Sequence, residues 1–326
     1  MKVSDLGERK LIETIHNYIS TYWEKPIYDD SVFFKSLSTD FLVLHTNVFN
    51  ESTDLPPLMD FYSFGWKSTI ANLSDVAVKG AKPLGILFSI TLPDQFDVED
   101  FKNLIKGICD ASKANSIKYL GGDLSSGKEL SLAGFCFGFS KNIIPRNKAK
   151  EGDLLGVTGR FGITSIAYKI IFNNLEVSKE IKDFFLNKLF KPKGRVKEAL
   201  AIAPLINSSM DISDGLALSL HQFCKLNGLG AEISYIPIES HVLQICKSHK
   251  LDELNLALYE GGEEYEILFS FSKDRIDEIK SILNYYGCDF SIIGKLTRDK
   301  KIIYNNGKEA FEIEEKGWEH FKYWKK

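Results

Sequence analysis

The sequence lacks the cysteine pattern of a disulfide-bonded or zinc-binding protein. It has five cysteines, an odd number, widely spaced and with no Cys-x-x-Cys pair. Disulfide frameworks and structural zinc sites rest on even numbers or close pairs, so the pattern argues against both and favours a reducing compartment. The five are Cys109, Cys136, Cys224, Cys246 and Cys288.

Long apolar runs and an excess of basic charge are also missing. The longest strongly apolar run, Leu84–Leu92, is far too short to span a bilayer, and Met1–Lys10 has no apolar signal core. The formal net charge is -3, which argues against nucleic acid as a main partner. We therefore expect a cytoplasmic protein that binds neither nucleic acid nor a membrane.

The common nucleotide-binding signatures are absent as well. There is no G-x-x-x-x-G-K-[ST] phosphate loop, no G-x-G-x-x-G turn and no protein-kinase signature. A nucleotide would have to bind in another way. The run Gly159-Arg160-Phe161-Gly162 could hold a phosphate at a helix start or could be only a tight turn between a strand and a helix.

What the sequence does contain is the alternation of strands and helices typical of two α/β (α+β) domains. Its 326 residues exceed a typical single domain, and 44% hydrophobic residues are enough for a full core. A polar segment over 141–152 predicts the boundary, giving domains 1–144 and 145–326. Within the first, we expect helices over 8–23, 66–80 and 98–114 and a strand over 117–120 that ends at Gly121-Gly122-Asp123.

The most informative stretch is Met210–Leu216, which holds two carboxylates three residues apart. We expect Asp211 at the end of a strand and Asp214 at the start of a helix, where free backbone N–H groups favour anions. Converging carboxylates bind hard cations such as Mg2+, usually beside a phosphate. The alternative is an ordinary capped helix start without a metal.

Other acidic or polar residues occur where strands or helices meet turns. They are Asp29-Asp30, Thr46-Asn47, Asn72 with Asp75, and Asp123. Carboxylates without histidine or cysteine partners suit Mg2+ rather than zinc. This pattern predicts a site in which metals bridge nucleotide phosphates.

In this combination the sequence resembles thiamine-monophosphate kinase, of the superfamily that includes aminoimidazole ribonucleotide synthetase, selenophosphate synthetase and hydrogenase maturation protein HypE. The matching stretches run in family order over about residues 8–321. They are Asp29-Asp30, Asn72–Ala77 with Gly80–Pro83, Gly121-Gly122-Asp123, Arg146, Gly152-Asp153, Lys191-Pro192, Arg195, Met210–Leu216, Gly261–Leu268 and Lys316-Gly317-Trp318.

The resemblance implies transfer of the ATP γ-phosphate to thiamine monophosphate, which yields thiamine diphosphate, with several Mg2+ ions. It implies metal ligands at Asp30, Thr46, Asp75, Asp123, Asp211 and Asp214. It implies ATP contacts at Gly122, Asp123, Arg146 and Ser213. It implies substrate contacts at Glu263 and Trp318.

The resemblance also implies the fold. Two domains of the aminoimidazole ribonucleotide synthetase type are expected, with mixed sheets flanked by helices. The N-terminal domain would bind ATP and metal and form a homodimer, and the C-terminal domain would complete the site. Two alternatives stay open: a superfamily relative with another acceptor, and a non-catalytic protein that binds nucleotide or thiamine phosphates.

Several positions depart from the family pattern, and Tyr28 and Glu264 stand where the family usually has Gly and Asp. The family usually has Thr-Thr-Asp where this chain has His45-Thr46-Asn47, and a neutral Asn is a weaker Mg2+ ligand than Asp. In the following loop, Asp54 stands in a segment where the family usually has a substrate-contacting His.

Overall fold

The computed structural model describes residues 3–22, 29–36 and 40–321. Its strands are β1 (Val32–Lys35), β2 (Phe41–Asn50), β3 (Lys82–Leu92), β4 (Lys118–Ser126), β5 (Ser131–Ser140), β6 (Leu154–Thr158), β7 (Ser208–Ile212), β8 (Gly230–Ile233), β9 (Glu266–Phe271), β10 (Phe290–Thr297), β11 (Ile302–Asn305) and β12 (Ala310–Glu312).

The α-helices are α1 (Val3–Leu6), α2 (Glu8–Tyr22), α3 (Glu51–Asp54), α4 (Phe61–Ala77), α5 (Val98–Ala114), α6 (Ile163–Phe172), α7 (Lys179–Phe190), α8 (Val196–Ile202), α9 (Leu216–Asn227), α10 (Ser240–His249), α11 (Glu253–Asn255) and α12 (Ile276–Tyr285). A π-helical turn spans Leu256–Glu260, and short 3-10 turns span Ala203–Leu205 and Lys273–Arg275.

The first sheet is mixed and has the strand order β1-β2-β5-β3-β4. Strands β3 and β4 run parallel, and the other neighbours are antiparallel. Helices α4 and α5 pack together against one face. Two glycines let them approach closely, because a Cβ at Gly65 would lie 2.3 Å from the Leu104 carbonyl and one at Gly107 would lie 1.9 Å from that of Tyr62.

Helix α4 lies between the two halves of the molecule. Thirteen of its 17 residues are buried, so it is enclosed on nearly all sides rather than amphipathic. It contacts β2, β3 and β5 on one side and α7, α8 and β7 on the other. Its C-terminal end is therefore held where the two halves meet.

The second sheet is also mixed, with the order β12-β11-β8-β10-β6-β9-β7. Apolar side chains of α6, α7, α8 and α12 join the core on one face, continuous with the core of the first half. Helix α9 covers the other face through Leu216, Leu220 and Phe223. Both faces are thus covered, and the predicted fold class is confirmed.

Some elements differ from the expected bounds. Helix α4 begins at Phe61 rather than at 66, because the Asp60 side chain caps it by accepting from Ser63 N at 2.7 Å. The strand expected over 117–120, with its end at Gly121-Gly122-Asp123, instead spans Lys118–Ser126 as β4. Gly122 permits this with φ +148°, where a Cβ would lie 1.9 Å from the Phe88 carbonyl.

The first predicted helix is confirmed over Glu8–Tyr22, and its last expected residue, 23, lies outside the described residues. The boundary at residue 144 stays a prediction. In the described parts of the chain, no helix combines the length and the apolar character that crossing a membrane requires.

Candidate active site

Three aspartates from distant parts of the chain converge where the two halves meet. Asp30 precedes β1, Asp75 is in the last turn of α4, and Asp211 is near the end of β7. Each offers a carboxylate oxygen, and these oxygens all lie within 4.8 Å of one another. The spacing suits a common cation, because one ion can contact oxygens that are this close.

Local structure fixes two of these carboxylates. The five residues of β7 are all buried, so Asp211 is held in the interior at the point where the strand ends. Asp75 is in the last turn of α4, and the Ser31 hydroxyl donates to its backbone carbonyl at 2.8 Å. The predicted strand-end position of Asp211 is confirmed.

Burial and mutual repulsion make these acids hard to ionise. Burial raises the pKa of Asp75 well above its usual value, and the charges of Asp211 and Asp214 add to this shift. Burial likewise raises the pKa of Asp211, and it raises the pKa of Asp214 to about 7. Asp211 Oδ2 is buried and has no hydrogen-bond partner among the described residues. The donor set fits a hard divalent cation, which would relieve both the repulsion and the unmet acceptor.

His45 lies on the inner face of β2 against this cluster. Burial lowers its pKa to about 4, so the ring is neutral at pH 7. Its Nδ1 lies 2.7 Å from the Asp30 carbonyl, which can only accept, so Nδ1 carries the hydrogen. Nε2 then carries only a lone pair, so it can accept a hydrogen bond from Asp75 Oδ2, 3.2 Å away, only when that carboxyl group is protonated. The histidine thus orients the Asp30 backbone.

The pair Asp29-Asp30 is held by two cations. The Lys79 Nζ lies 2.6 Å from Asp29 Oδ1 and 2.6 Å from Asp30 Oδ2. The Arg146 guanidinium pairs with the Asp30 carboxylate, and the Arg146 backbone N donates to Asp29 Oδ2 at 3.0 Å. Arg146, predicted to contact ATP, therefore lies beside the aspartate cluster.

The turn between β7 and α9 gathers further predicted site residues. The backbone N–H of Glu263 donates to the Ser213 carbonyl at 2.6 Å, and that of Trp318 donates to the Asp214 carbonyl at 3.0 Å. Gly215 has φ +97°, and a Cβ there would lie 2.7 Å from the Gly261 carbonyl. The close approach of these segments explains the glycine in the Met210–Leu216 stretch.

Thr46, Gly122 and Asp123 lie apart from this cluster, on the first sheet. Asp123 is exposed on the edge strand β4, in register with Ser89. Thr46 is exposed on β2, and its hydroxyl donates to the Gly134 carbonyl at 2.8 Å. Side chains alternate between the faces of a strand, and His45 marks the inner face of β2. Thr46 therefore points away from the triad.

One polar cluster was missed from the sequence. The Lys67 ammonium, fully buried in α4, pairs with Glu263 Oε1, and the Tyr168 hydroxyl donates to Glu263 Oε2. Asp54 is close enough to interact with both charges, and burial raises its pKa. No spacing rule could have found this cluster, because its members lie in α3, α4, α6 and the segment before β9.

The glycine run 159–162 is explained better as a tight turn than as a phosphate site. The backbone N–H of Phe161 donates to the Pro237 carbonyl at 2.8 Å. In the first turn of α6, the Thr164 hydroxyl donates to Glu264 Oε1 at 2.8 Å. A carboxylate of the protein therefore already lies at this helix start.

Glu264 is expected to make stability depend on pH. Burial raises its pKa to about 7, from 4.5. The folded protein therefore binds the Glu264 proton more tightly than the unfolded chain does. The stability that this proton contributes is complete below about pH 4.5 and is lost as the pH rises through about 7. It amounts to at most about 3 kcal/mol.

The variant Glu264→Gln keeps an acceptor for Thr164 and removes the titration. From about pH 5 to pH 8, the free energy of unfolding of the wild type should fall relative to that of the variant, as measured by urea denaturation. Parallel curves for the two proteins would show that Glu264 does not titrate in this range.

The chain matches two families over most of its length. Residues 28–140 match the AIR synthase related protein, N-terminal domain, and residues 150–305 match the AIR synthase related protein, C-terminal domain. The aspartate triad draws on both matched regions. The fold and the site thus define an AIR synthase related protein of two domains.

Within that class, the similar curated proteins are kinases. The chain is 33% identical to a thiamine-monophosphate kinase of Methanocaldococcus jannaschii, over 94% of this chain and 98% of that one. It is 28% identical to a thiamine-monophosphate kinase of Pyrococcus abyssi, over 94% of both. The chain belongs to the thiamine-monophosphate kinase family.

Solved structures share the two-domain fold of this chain. The structure of AaThiL complexed with AMPPCP and TMP has a TM-score of 0.88 and 25% identity, over 98% of this chain and 99% of that one. The structure of tt0281 from Thermus thermophilus has a TM-score of 0.83 and 27% identity, over 94% and 98%. A HypE-HypF complex, at a TM-score of 0.73 and 21% identity, shares the fold.

Proposed function

We propose that the protein transfers the γ-phosphate of ATP to thiamine monophosphate and so forms thiamine diphosphate. The observation that carries this is the triad of Asp30, Asp75 and Asp211 at the junction of two AIR synthase related domains. Support comes from the thiamine-monophosphate kinases similar to the whole chain and from AaThiL, whose structure contains AMPPCP, an ATP analogue, and TMP.

We assign metal binding to Asp30, Asp75 and Asp211, with Asp214 adjoining them. Mg2+ bound there would neutralise the phosphate groups of donor and acceptor, which otherwise repel each other. The buried Asp211 Oδ2, which accepts no hydrogen bond from the described residues, supports this assignment. Thr46 on β2 and Asp123 on β4 of the first sheet are proposed as further metal ligands outside the triad.

The remaining residues would position the two substrates. Gly122, Asp123, Arg146 and Ser213 are proposed to contact ATP, with the Arg146 guanidinium as a planar donor to phosphate oxygens. Glu263 and Trp318 are proposed to contact thiamine monophosphate.

The charge around Glu263 supports recognition of a cationic ring. Asp54 and Glu263 bring two carboxyl groups against the single positive charge of Lys67. Thiamine carries a positive thiazolium ring, and a net negative surrounding favours it. The Trp318 indole would offer a flat surface for stacking.

The reaction needs no general base. The attacking atom is a phosphate oxygen of thiamine monophosphate, which is already an anion and carries no proton that must be removed. The proposed mechanism is therefore direct in-line transfer, in which the protein orients donor and acceptor and neutralises charge.

We further propose that residues 1–144 form the nucleotide- and metal-binding domain and that two copies pair through its sheet. The outer face of this sheet, away from α4, exposes six large apolar side chains: Val32, Phe34, Val48, Leu120, Phe135 and Phe139. Contiguous apolar surface of this kind marks interaction sites. Residues 145–326 would complete the substrate site, and the cytoplasm stays the expected location.

The variant Phe135→Asp is expected to convert the dimer into a monomer. A charge in the middle of this face would have to be buried without a partner if the two sheets paired. Size-exclusion chromatography with light scattering measures the mass directly. Tyr285→Asp, at an aromatic residue 84% exposed on α12, is the matched control and should leave the mass unchanged. Equal masses for all three proteins would contradict the proposed dimer face.

The function is tested by measuring thiamine diphosphate formed from thiamine monophosphate, ATP and Mg2+ by purified protein. Absence of product at saturating concentrations would refute it. The departures at Asn47 and Asp54 favour, as a second candidate, a protein that binds the nucleotide without catalysis. Nucleotide binding without turnover, together with activity gained in Asn47→Asp, would support that second candidate.

A further inference from the structure

A fully buried lysine lies next to the aspartate triad. Lys79 follows α4, and its side chain is 0% exposed. Its ammonium nitrogen has three oxygen partners: Asp29 Oδ1 at 2.6 Å, Asp30 Oδ2 at 2.6 Å and the Ser209 carbonyl at 2.8 Å. Two carboxylates and a carbonyl are also the ligand types that a hard metal ion takes.

These contacts link three parts of the chain that build the site. Asp29 and Asp30 precede the first sheet, Lys79 lies between α4 and β3, and Ser209 is on β7 of the second sheet. Ser209 precedes Asp211 by two residues and so lies on the same side of the strand. The Ser209 hydroxyl also donates to the Val78 carbonyl. The ammonium thus connects the two halves beside the metal ligands.

The charges at the pair Asp29-Asp30 balance without a metal. The two carboxylates carry two negative charges, and Lys79 with Arg146 brings two positive ones. Asp75 and Asp211 complete the triad, and within the described part of the chain Asp211 Oδ2 has no hydrogen-bond partner. The negative charges of Asp75 and Asp211 are therefore the ones that a divalent ion would balance.

We propose that the Lys79 ammonium takes the place of a divalent cation at the pair Asp29-Asp30. It is a positioning residue: it neutralises the pair, holds Asp30 toward Asp75 and Asp211, and binds β7 to the N-terminal half. The chain then binds one divalent ion fewer than it would if the pair Asp29-Asp30 held an ion of its own. This inference rests on the metal site of the proposed function.

Lys79→Met removes the charge and nearly preserves the length of the side chain. Asp29, Asp30 and the Ser209 carbonyl would then form an open site for a cation. With AMPPCP present, equilibrium dialysis with Mn2+ is expected to give one more bound ion per chain than in the wild type. Without metal the variant should melt at a lower temperature, and added Mg2+ should raise its Tm more than it raises that of the wild type.

Two further variants separate this role from a purely structural one. Lys169→Met removes an ammonium that pairs with a single carboxylate, Glu260, outside the proposed sites, and its ion count should equal that of the wild type. The double variant Lys79→Met/Asp29→Asn removes one charge of each sign and should also return to the wild-type count.

The outcomes are distinct. An unchanged ion count in Lys79→Met, with a Tm no more responsive to Mg2+ than that of Lys169→Met, would overturn the inference. If Lys79→Met folds only in the presence of Mg2+ and Lys169→Met folds equally well without it, the inference is supported. If the wild type binds no ion at all, the proposed metal site itself fails.

Discussion

Asp211→Asn is expected to lower kcat/KM for phosphoryl transfer by on the order of a thousandfold, about 4 kcal/mol of transition-state stabilisation. The amide keeps the shape of the side chain but removes a charge from the triad. Positioning and charge neutralisation provide nearly all of the catalysis in phosphoryl transfer, so loss of a metal ligand acts on the rate itself. Steady-state kinetics at several Mg2+ concentrations measure the effect.

The same substitution is expected to stabilise the protein in the absence of metal. Burial disfavours ionised Asp211, as its raised pKa indicates, and its charge raises the pKa of Asp75 in turn. A neutral amide avoids both costs, so the metal-free variant should melt above the metal-free wild type at pH 8. Opposite changes in rate and stability would separate a functional acid from a structural one.

Asp153→Asn is the matched control. Asp153 is also buried, but it accepts hydrogen bonds from Lys150 N at 3.0 Å and Asn207 Nδ2 at 2.8 Å, outside the triad. This variant should lose some stability and keep its turnover. If Asp211→Asn retained turnover within a few-fold of the wild type, the metal role proposed for Asp211 would be wrong.

Lys67→Met is expected to lower the free energy of unfolding by about 3–5 kcal/mol, because it leaves the largely buried carboxylate of Glu263 without its cation. Lys67 lies on α4 and Glu263 lies on the segment before β9, so the pair joins the two halves of the molecule. Urea denaturation followed by circular dichroism measures the change.

Glu263→Gln in the Lys67→Met background tests the cause. Removal of both charges should recover most of the lost stability, because a buried pair replaced by neutral groups is often close to neutral in energy. The Tyr168 hydroxyl can still donate to the Gln amide oxygen. If the double variant were no more stable than Lys67→Met, the loss would come from packing in α4 and not from an unpaired charge.

Local sequence patterns predicted helix α5 and the strand and helix that meet in the Met210–Leu216 stretch. Helix α5 has the predicted bounds, Val98–Ala114, because its apolar spacing and its Asp97 cap are both local features. The end of β7 at Ile212 and the start of α9 at Leu216 follow from a buried run, a glycine and an apolar helical run. Local patterns thus identified the strand that carries Asp211 and the turn before α9 that holds Asp214.

Sequence reasoning also named all three aspartates of the triad, but it could not separate them from Asp123. All four follow or precede turns and look alike along the chain. Only the register of β4 against β3 puts Asp123 on an exposed edge opposite Ser89, while Asp30, Asp75 and Asp211 converge. Strand register depends on pairings made with other strands, which no local pattern contains.

By itself, the sequence determined the composition of the site: carboxylates in place of cysteine or histidine ligands, set at element ends and beside glycines. Tertiary structure alone decided which of them share a site and what balances their charge. Lys67 and Lys79 look like ordinary helix lysines, and His45 like a strand-end polar residue. Each lies against acids that are distant in sequence, because folding brings α4 between two sheets. Burial lowers the effective dielectric constant around these charges and so strengthens their interactions, and burial is a property of the packed chain.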